Sequence, residues 1–247
     1  MILKNKLALI TGANRGIGLS ILKKFSENGA DVIACVRSKN EKFEQLIFDI
    51  SKKHKNKITP IYFDLLKENE IEQGINKINS VSDKIDILVN NAGINQVSLF
   101  QMTSVKKIKE IFDVNFFSNL QLTQKLMKVM IKNKKGSIIN ISSNAAIECD
   151  SGRSGYASSK AALEAFTKVL SKELGSFNIR VNAVAPGLTK TNMMEKDISK
   201  KVIEEATKRT ALKRPAEPEE ISNVVMFLAS DLSSYISGEV IFVTGGY

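Results

Sequence analysis

Short apolar runs alternate with amphipathic stretches from one end of this 247-residue chain to the other, and that alternation limits the folds open to it. Apolar runs bounded by turn signals read as buried strands; apolar residues recurring every third or fourth position read as helices. The predicted strands are 6–10, 31–36, 58–63, 85–89, 136–141, 179–184 and 239–243. The predicted helices are one opening at Gly16-Ile-Gly18 and stopping at Asn28-Gly29, then 41–53, 67–78, 104–132, 156–176 and 218–229. Thr103 or Ser104 caps the fourth helix, and Pro218 occupies a favourable first-turn position in the last. Strands that alternate with helices through short connections form a parallel sheet with helices on both faces. No linker, repeat or low-complexity tract interrupts the pattern, so residues 1–247 are expected to form one domain.

Gly12-Ala-Asn-Arg-Gly16-Ile-Gly18 lies between the first strand and the first helix. Glycines there let the backbone approach a pyrophosphate, and the helix N-terminus offers free N–H donors and the positive end of its dipole. This placement predicts a single-domain, Rossmann-type, doubly wound α/β fold of about seven strands that holds a dinucleotide. The second strand ends Ile33-Ala-Cys-Val36-Arg37, with no acid to accept a ribose 2′-hydroxyl. Arg37, with Arg15 from the glycine loop, suits a 2′-phosphate instead, which favours NADPH over NADH.

Tyr156 and Lys160 stand four apart in a predicted helix, so they project from the same face. An ammonium beside a phenol favours the phenolate, and a tyrosine brought down from about 10 becomes a useful general acid or base. Ser143, thirteen residues earlier, is placed to hold the oxygen that Tyr156 protonates.

Composition excludes several alternatives. Two cysteines, Cys35 and Cys149, make neither a disulfide framework nor a zinc site. His54, the only histidine, lies in a lysine-rich stretch, so a histidine triad or metal site is hard to build, and no metal is expected. No apolar run approaches the ~20 residues that cross a bilayer, and no leader is apparent, which points to the cytoplasm without membrane attachment. The net charge of +10 is spread along the chain without a basic-aromatic motif, so no nucleic-acid partner is expected.

Taken together, the motifs resemble the short-chain dehydrogenase/reductases over essentially the whole chain. They are Thr11-Gly-Ala-Asn-Arg-Gly-Ile-Gly18, Asp64-Leu65, Asn90-Asn-Ala-Gly93, Asn115, Ser143, Tyr156-x-x-x-Lys160, Pro186-Gly187 and the final Gly245-Gly246. The resemblance implies that Gly12, Asn14, Arg15, Gly16, Ile17 and Gly18 line the pyrophosphate and adenosine end. Asp64 would bond the adenine amino group, with Leu65 beside the ring. Asn91, with Ala92 and Gly93, would approach the nicotinamide-side ribose, and the same turn would brace the sheet. Lys160 would bond that ribose and lower the Tyr156 pKa. Asn115 would kink its helix and hold a water that links Lys160 to solvent. Thr189, after Pro186-Gly187, would meet the carboxamide, with Thr191 following in the same loop. The implied reaction is hydride transfer to a ketone, with Tyr156 as proton donor and Ser143 stabilising the oxygen.

Within the family, the glycine loop, the Asn-Ile-Ser-Ser strand end and the tail look most like 3-oxoacyl-[acyl-carrier-protein] reductases, enzymes of fatty acid biosynthesis. A basic surface suits an acidic carrier protein. Two departures point elsewhere. The position where that group commonly carries a carrier-gripping Arg is Phe177 here, and a second falls near Lys134. Glu148, Asp150 and Arg153 also make the segment before Tyr156 polar, which suits a small polar or sugar-derived ketone. A regulator that binds NADP without turnover is the alternative of another class. Residues 188–213, with Met193, Met194, Ile198, Val202 and Ile203, are expected to form a lid over the substrate. The helices from Ser104 and Tyr156 are the expected interface of a homotetramer, with a dimer as the smaller possibility.

Overall fold

The computed structural model describes residues 1–247. Seven strands form one sheet: β1 (Leu7–Thr11), β2 (Asp31–Val36), β3 (Ile58–Tyr62), β4 (Ile87–Asn90), β5 (Gly136–Ile141), β6 (Ile179–Pro186) and β7 (Val240–Val243). Their order is β3-β2-β1-β4-β5-β6-β7, and every neighbouring pair is parallel. This is the Rossmann-type α/β fold that the alternation predicts. Pro60 lacks a ladder donor and lies in β3, an edge strand, where that loss is tolerated.

Side chains alternate between two cores because successive residues of a strand point to opposite faces. In β1, Ala8 and Ile10 enter one core and Leu9 the other; in β2, Val32 and Ala34 part from Ile33 and Cys35. The first core is closed by α1 (Gly16–Glu27), α2 (Glu41–His54) and α10 (Pro218–Ala229), with Phe25 fully buried. The second is closed by α3 (Glu68–Val81), α5 (Ser118–Asn133) and α7 (Ser154–Leu174) through Ile75, Leu126 and Leu170. Each fully buried side chain of this size contributes roughly 1.5–3 kcal/mol. Val169, an apolar residue of α7, is 55% exposed.

The stretch expected as one helix over 104–132 is divided. Ser104 caps α4 (Val105–Phe112), a π turn follows over Asp113–Phe117, and α5 continues from Ser118. The wide turn releases carbonyls that neighbouring side chains take up: Ser118 Oγ donates to Val114 O (2.7 Å) and Asn119 Nδ2 to Asn115 O (2.8 Å). The residues after β6 form α8 (Asn192–Asp197) and α9 (Lys200–Arg209), capped by Thr191 and Ser199, and neither helix has a fully buried residue. A short helix, α6 (Ala145–Glu148), precedes α7. No helix is long and apolar enough to cross a membrane.

Candidate active site

A cleft of about 420 Å³ opens at the carboxyl ends of the strands, where the strand order reverses between β1 and β4. Its floor at one end is the glycine loop. Gly12 takes φ +66°, and a Cβ on Gly18 would stand 2.2 Å from Gly12 O, so this crossing admits only glycine. The turn after β4 locks the loop in place. Thr11 Oγ1 accepts from Asn91 N and Ala92 N, both at 3.0 Å, and Asn91 Nδ2 donates to Thr11 O at 2.8 Å. Asn91 therefore braces the sheet with its amide while lining the cleft.

Arg15 and Arg37 line the same end, and neither is ion-paired. Asp64 and Leu65 stand beside them, with Asp64 Oδ1 accepting from Leu66 N at 3.0 Å. Pro186, Gly187, Thr189 and Thr191 form the opposite wall. Thr189 Oγ1 donates to Gly187 O (3.0 Å), and Thr191 packs its methyl toward Gly16.

Ser143, Tyr156 and Lys160 meet at the other end of the cleft. Lys160 is 3% exposed, and its ammonium donates to Ile141 O at 2.7 Å. Burial lowers its pKa to about 8, against a partial upward pull from Glu164. Ser142 Oγ is turned away, donating to Glu164 Oε1 at 2.7 Å, which leaves Ser143 as the hydroxyl beside the tyrosine. Two cations stand by the Tyr156 ring, with Arg153 Cζ and Lys160 Nζ each 5.9 Å from its centroid. Even so, the phenol is pushed up rather than down. Burial is the largest cause, and Ser143 and Arg153 oppose it. The expected lowering by Lys160 is not seen: Ser143 and Arg153 are the groups that pull the phenol down, and burial outweighs both. At neutral pH Tyr156 therefore carries its proton, the state a general acid requires.

Asn115 alone of the expected site residues lies outside the cleft lining. It is fully buried at the π turn, where Oδ1 accepts from Ile94 N (2.8 Å) and Nδ2 donates to Ile94 O (3.0 Å) and Ser159 Oγ (3.1 Å). A Cβ on Gly93 would meet Asn115 Oδ1 at 3.2 Å and Lys160 Nζ at 3.6 Å, so Gly93 is the space through which the two approach.

The rim holds residues the sequence alone did not bring together. Asn95, Asn144, Ala206 and Tyr247 line it beside Asp150 and Arg153. Met193, Met194, Ile198 and Val202 from the α8–α9 segment line it, whereas Ile203 does not. Asn144 directly follows Ser143 and Asn95 lies two residues after the Asn90-Asn-Ala-Gly93 motif, and that nearness was the available signal. Tyr247 arrives by long-range folding and stacks under Arg209, whose Cζ is 4.5 Å from its ring.

Comparison with known proteins agrees with this geometry. The sequence model of the family described as "Enoyl-(Acyl carrier protein) reductase" matches residues 12–247. The chain is 40% identical to a 3-oxoacyl-[acyl-carrier-protein] reductase of Aquifex aeolicus, over 99% of this chain and 98% of that protein. The chain belongs to the short-chain dehydrogenase/reductase family. It is 39% identical to a 3α-hydroxysteroid dehydrogenase of Mediterraneibacter gnavus, over 99% of this chain and 98% of the other. It also superposes with a TM-score of 0.91, at 27% identity, on an L-sorbose reductase of Gluconobacter frateurii solved with NADPH and L-sorbose. That superposition covers 99% of this chain and 97% of the other.

As a short-chain dehydrogenase/reductase, the protein is an NAD(P)-dependent oxidoreductase acting on CH–OH and C=O groups, and NADP(H) is its cofactor. The cleft fits that group on its own terms. The loop crossing is closed to any side chain at Gly18, the α1 N-terminus follows at Gly16, and two guanidinium groups without acid partners stand at the β2 end.

Proposed function

We propose that this chain reduces a ketone to a secondary alcohol with NADPH, through Tyr156. The observation that carries the proposal is the convergence of Ser143, protonated Tyr156 and the buried Lys160 ammonium in the cleft that also contains the glycine loop and Arg37. NADPH supplies the hydride to the carbonyl carbon when bound. Tyr156 gives its proton to the carbonyl oxygen, and the Ser143 hydroxyl donates a hydrogen bond to that oxygen as charge develops. Lys160 orients the nicotinamide-side ribose and restores the proton to Tyr156. Asn115 holds the loop at Ile94 against Lys160 and is a positioning residue. Arg37 and Arg15 hold the 2′-phosphate, and this pair underlies a preference for NADPH over NADH. Arg37→Glu is expected to weaken NADPH binding about 10- to 100-fold, the worth of charge-assisted hydrogen bonds, with NADH much less affected. Fluorescence titration with each nucleotide checks this, and equal losses for both would contradict the assignment.

Two substrate readings have support. The relatives favour a 3-oxoacyl thioester on an acyl carrier protein, and the net charge of +10 suits an acidic carrier. The site itself favours a small polar or sugar-derived ketone. Its rim carries Asn95, Asn144, Asp150 and Arg153, and no arginine stands at Lys134 or Phe177 to grip a carrier. Phe177 packs against the second core instead. NADPH oxidation with an acetoacetyl thioester, run beside neutral and polyhydroxylated ketones, separates the readings. Turnover confined to the thioester would sink the polar one.

We also propose a homotetramer. Exposed apolar side chains stand on α4, the π turn and α7 (Val105, Phe117, Val169) and near α10 and β7 (Phe227, Leu232, Tyr235, Phe242). Exposed apolar side chains on two sets of elements suit an assembly with two kinds of two-fold contact. Light scattering is expected to give four times the 27.3 kDa chain mass, and a monomer would overturn this.

A further inference from the structure

Only six of the 36 basic residues are arginines, and each is specifically placed. Arg180 donates to the carbonyls of Leu228 (2.8 Å) and Ser230 (3.1 Å). Arg214 forks onto Glu220 at 2.6 and 2.7 Å. Arg209 pairs with Glu148 (3.3 Å) and Asp150 (3.7 Å). The other three, Arg15, Arg37 and Arg153, line the cleft and have no carboxylate partner. The first two stand at the end assigned to the 2′-phosphate. Arg153 stands at the opposite end, and no part of the cofactor's charge is assigned there.

The structure holds Arg153 firmly. Its Nη1 donates to Asn95 Oδ1 at 2.6 Å, a neutral acceptor that fixes the fork without cancelling its charge. The Asn95 loop is fastened to the start of α7: Gly155 N donates to buried Gln96 Oε1 (2.8 Å), and Ser98 N to Gly152 O (3.0 Å). The guanidinium carbon lies 5.9 Å from the ring whose hydroxyl donates the proton. An anion bound here therefore lies within a few bonds of the reacting carbonyl. The two acids nearby, Glu148 and Asp150, are committed to Arg209. They also disfavour a dianion in the same space, so one guanidinium matches one carboxylate.

We propose that Arg153 binds a carboxylate carried by the substrate close to its carbonyl, so that the substrate is a short oxo-acid, plain or polyhydroxylated. This rests on the ketone-reductase reading of the same site and narrows its polar form.

The test uses the full chain with NADPH and a series of four- to six-carbon oxo-acids. Each acid is paired with its methyl ester, and a ketose phosphate is added. The acids are expected to exceed their esters in kcat/KM by about 10- to 100-fold, the worth of one charge-assisted pair, and chiefly through KM. Arg153→Gln is expected to erase that preference, read as the acid-to-ester ratio of kcat/KM within the variant, while leaving NADPH affinity unchanged, and Arg153→Lys to retain part of it. Equal turnover of acids and esters, a preference that survives Arg153→Gln, or a ketose phosphate favoured over the acids would each overturn the proposal. If NADPH binds but no ketone is reduced, the ketone-reductase reading fails by itself. Calorimetry of the same oxo-acids with the NADPH complex then decides about Arg153. Binding lost in Arg153→Gln supports the carboxylate site, and no binding to the wild type overturns it.

Discussion

Tyr156→Phe is expected to lower ketone reduction by about 10²- to 10⁴-fold, the usual contribution of a positioned general acid, while NADPH still binds. The ring keeps its place beside Arg153 and Lys160, because only the hydroxyl is removed. The loss therefore belongs in kcat rather than in cofactor affinity. In wild type the phenol stands above its ordinary value through burial, so it remains protonated across the neutral range. Steady-state rates with the best ketone, together with NADPH titration, check both halves. Retained turnover in Tyr156→Phe would remove this residue from the proton path.

Lys160→Met is expected to have the second largest effect, about 10²-fold or more on kcat/KM, because it removes the charge that orients the ribose and resupplies Tyr156. Its pH behaviour distinguishes this role from simple packing. The folded-state pKa of Lys160 is about 8 against 10.5 for the exposed group. Below about 8 both states carry the proton, and the folded chain bears the burial of a charge. Between about 8 and 10.5 the unfolded chain holds more protons, so rising pH favours folding. Relative to Lys160→Met, the unliganded wild type should gain up to about 3 kcal/mol across that window. Denaturant melts of both proteins at several pH values read this directly. Reduction by the wild type should fall as pH rises through about 8, and Lys160→Met should lack that limb. A pH-independent difference in stability would contradict the assignment.

The fold was legible because its signals are local. The continuous apolar runs of β1 and β2, the glycine loop, the cap at Ser104 and the first-turn Pro218 each depend on a few neighbouring residues, and all are present in the structure. The break at Asn115 was implied by the family resemblance, whereas periodicity alone does not show the π turn. Helical periodicity carries through 104–132, and the widening at Asp113–Phe117 arises where Asn115 reaches across to Ile94 in a distant loop. The α8–α9 segment reads ambiguously because its apolar residues face the cleft rather than a core, which leaves them without a fully buried stripe. Cleft residues that sit in motifs were found by their motifs. Tyr247 and the pairing of Arg153 with Asn95 depend on closure of the whole chain, and spacing carries no trace of them. The direction of the Tyr156 shift was missed for a related reason. The sequence shows the ammonium four residues away but not the burial of the phenol, which is the largest cause of its shift.

The central claim is that this cleft transfers hydride from NADPH to a carbonyl under proton donation by Tyr156. NADPH deuterated at the transferring position, incubated with the wild-type chain and the ketone panel, tests it most directly. One deuterium on the carbinol carbon of the product, absent with Tyr156→Phe, is the expected result. NADPH binding without deuterium in any product, or undiminished transfer by Tyr156→Phe, would contradict it.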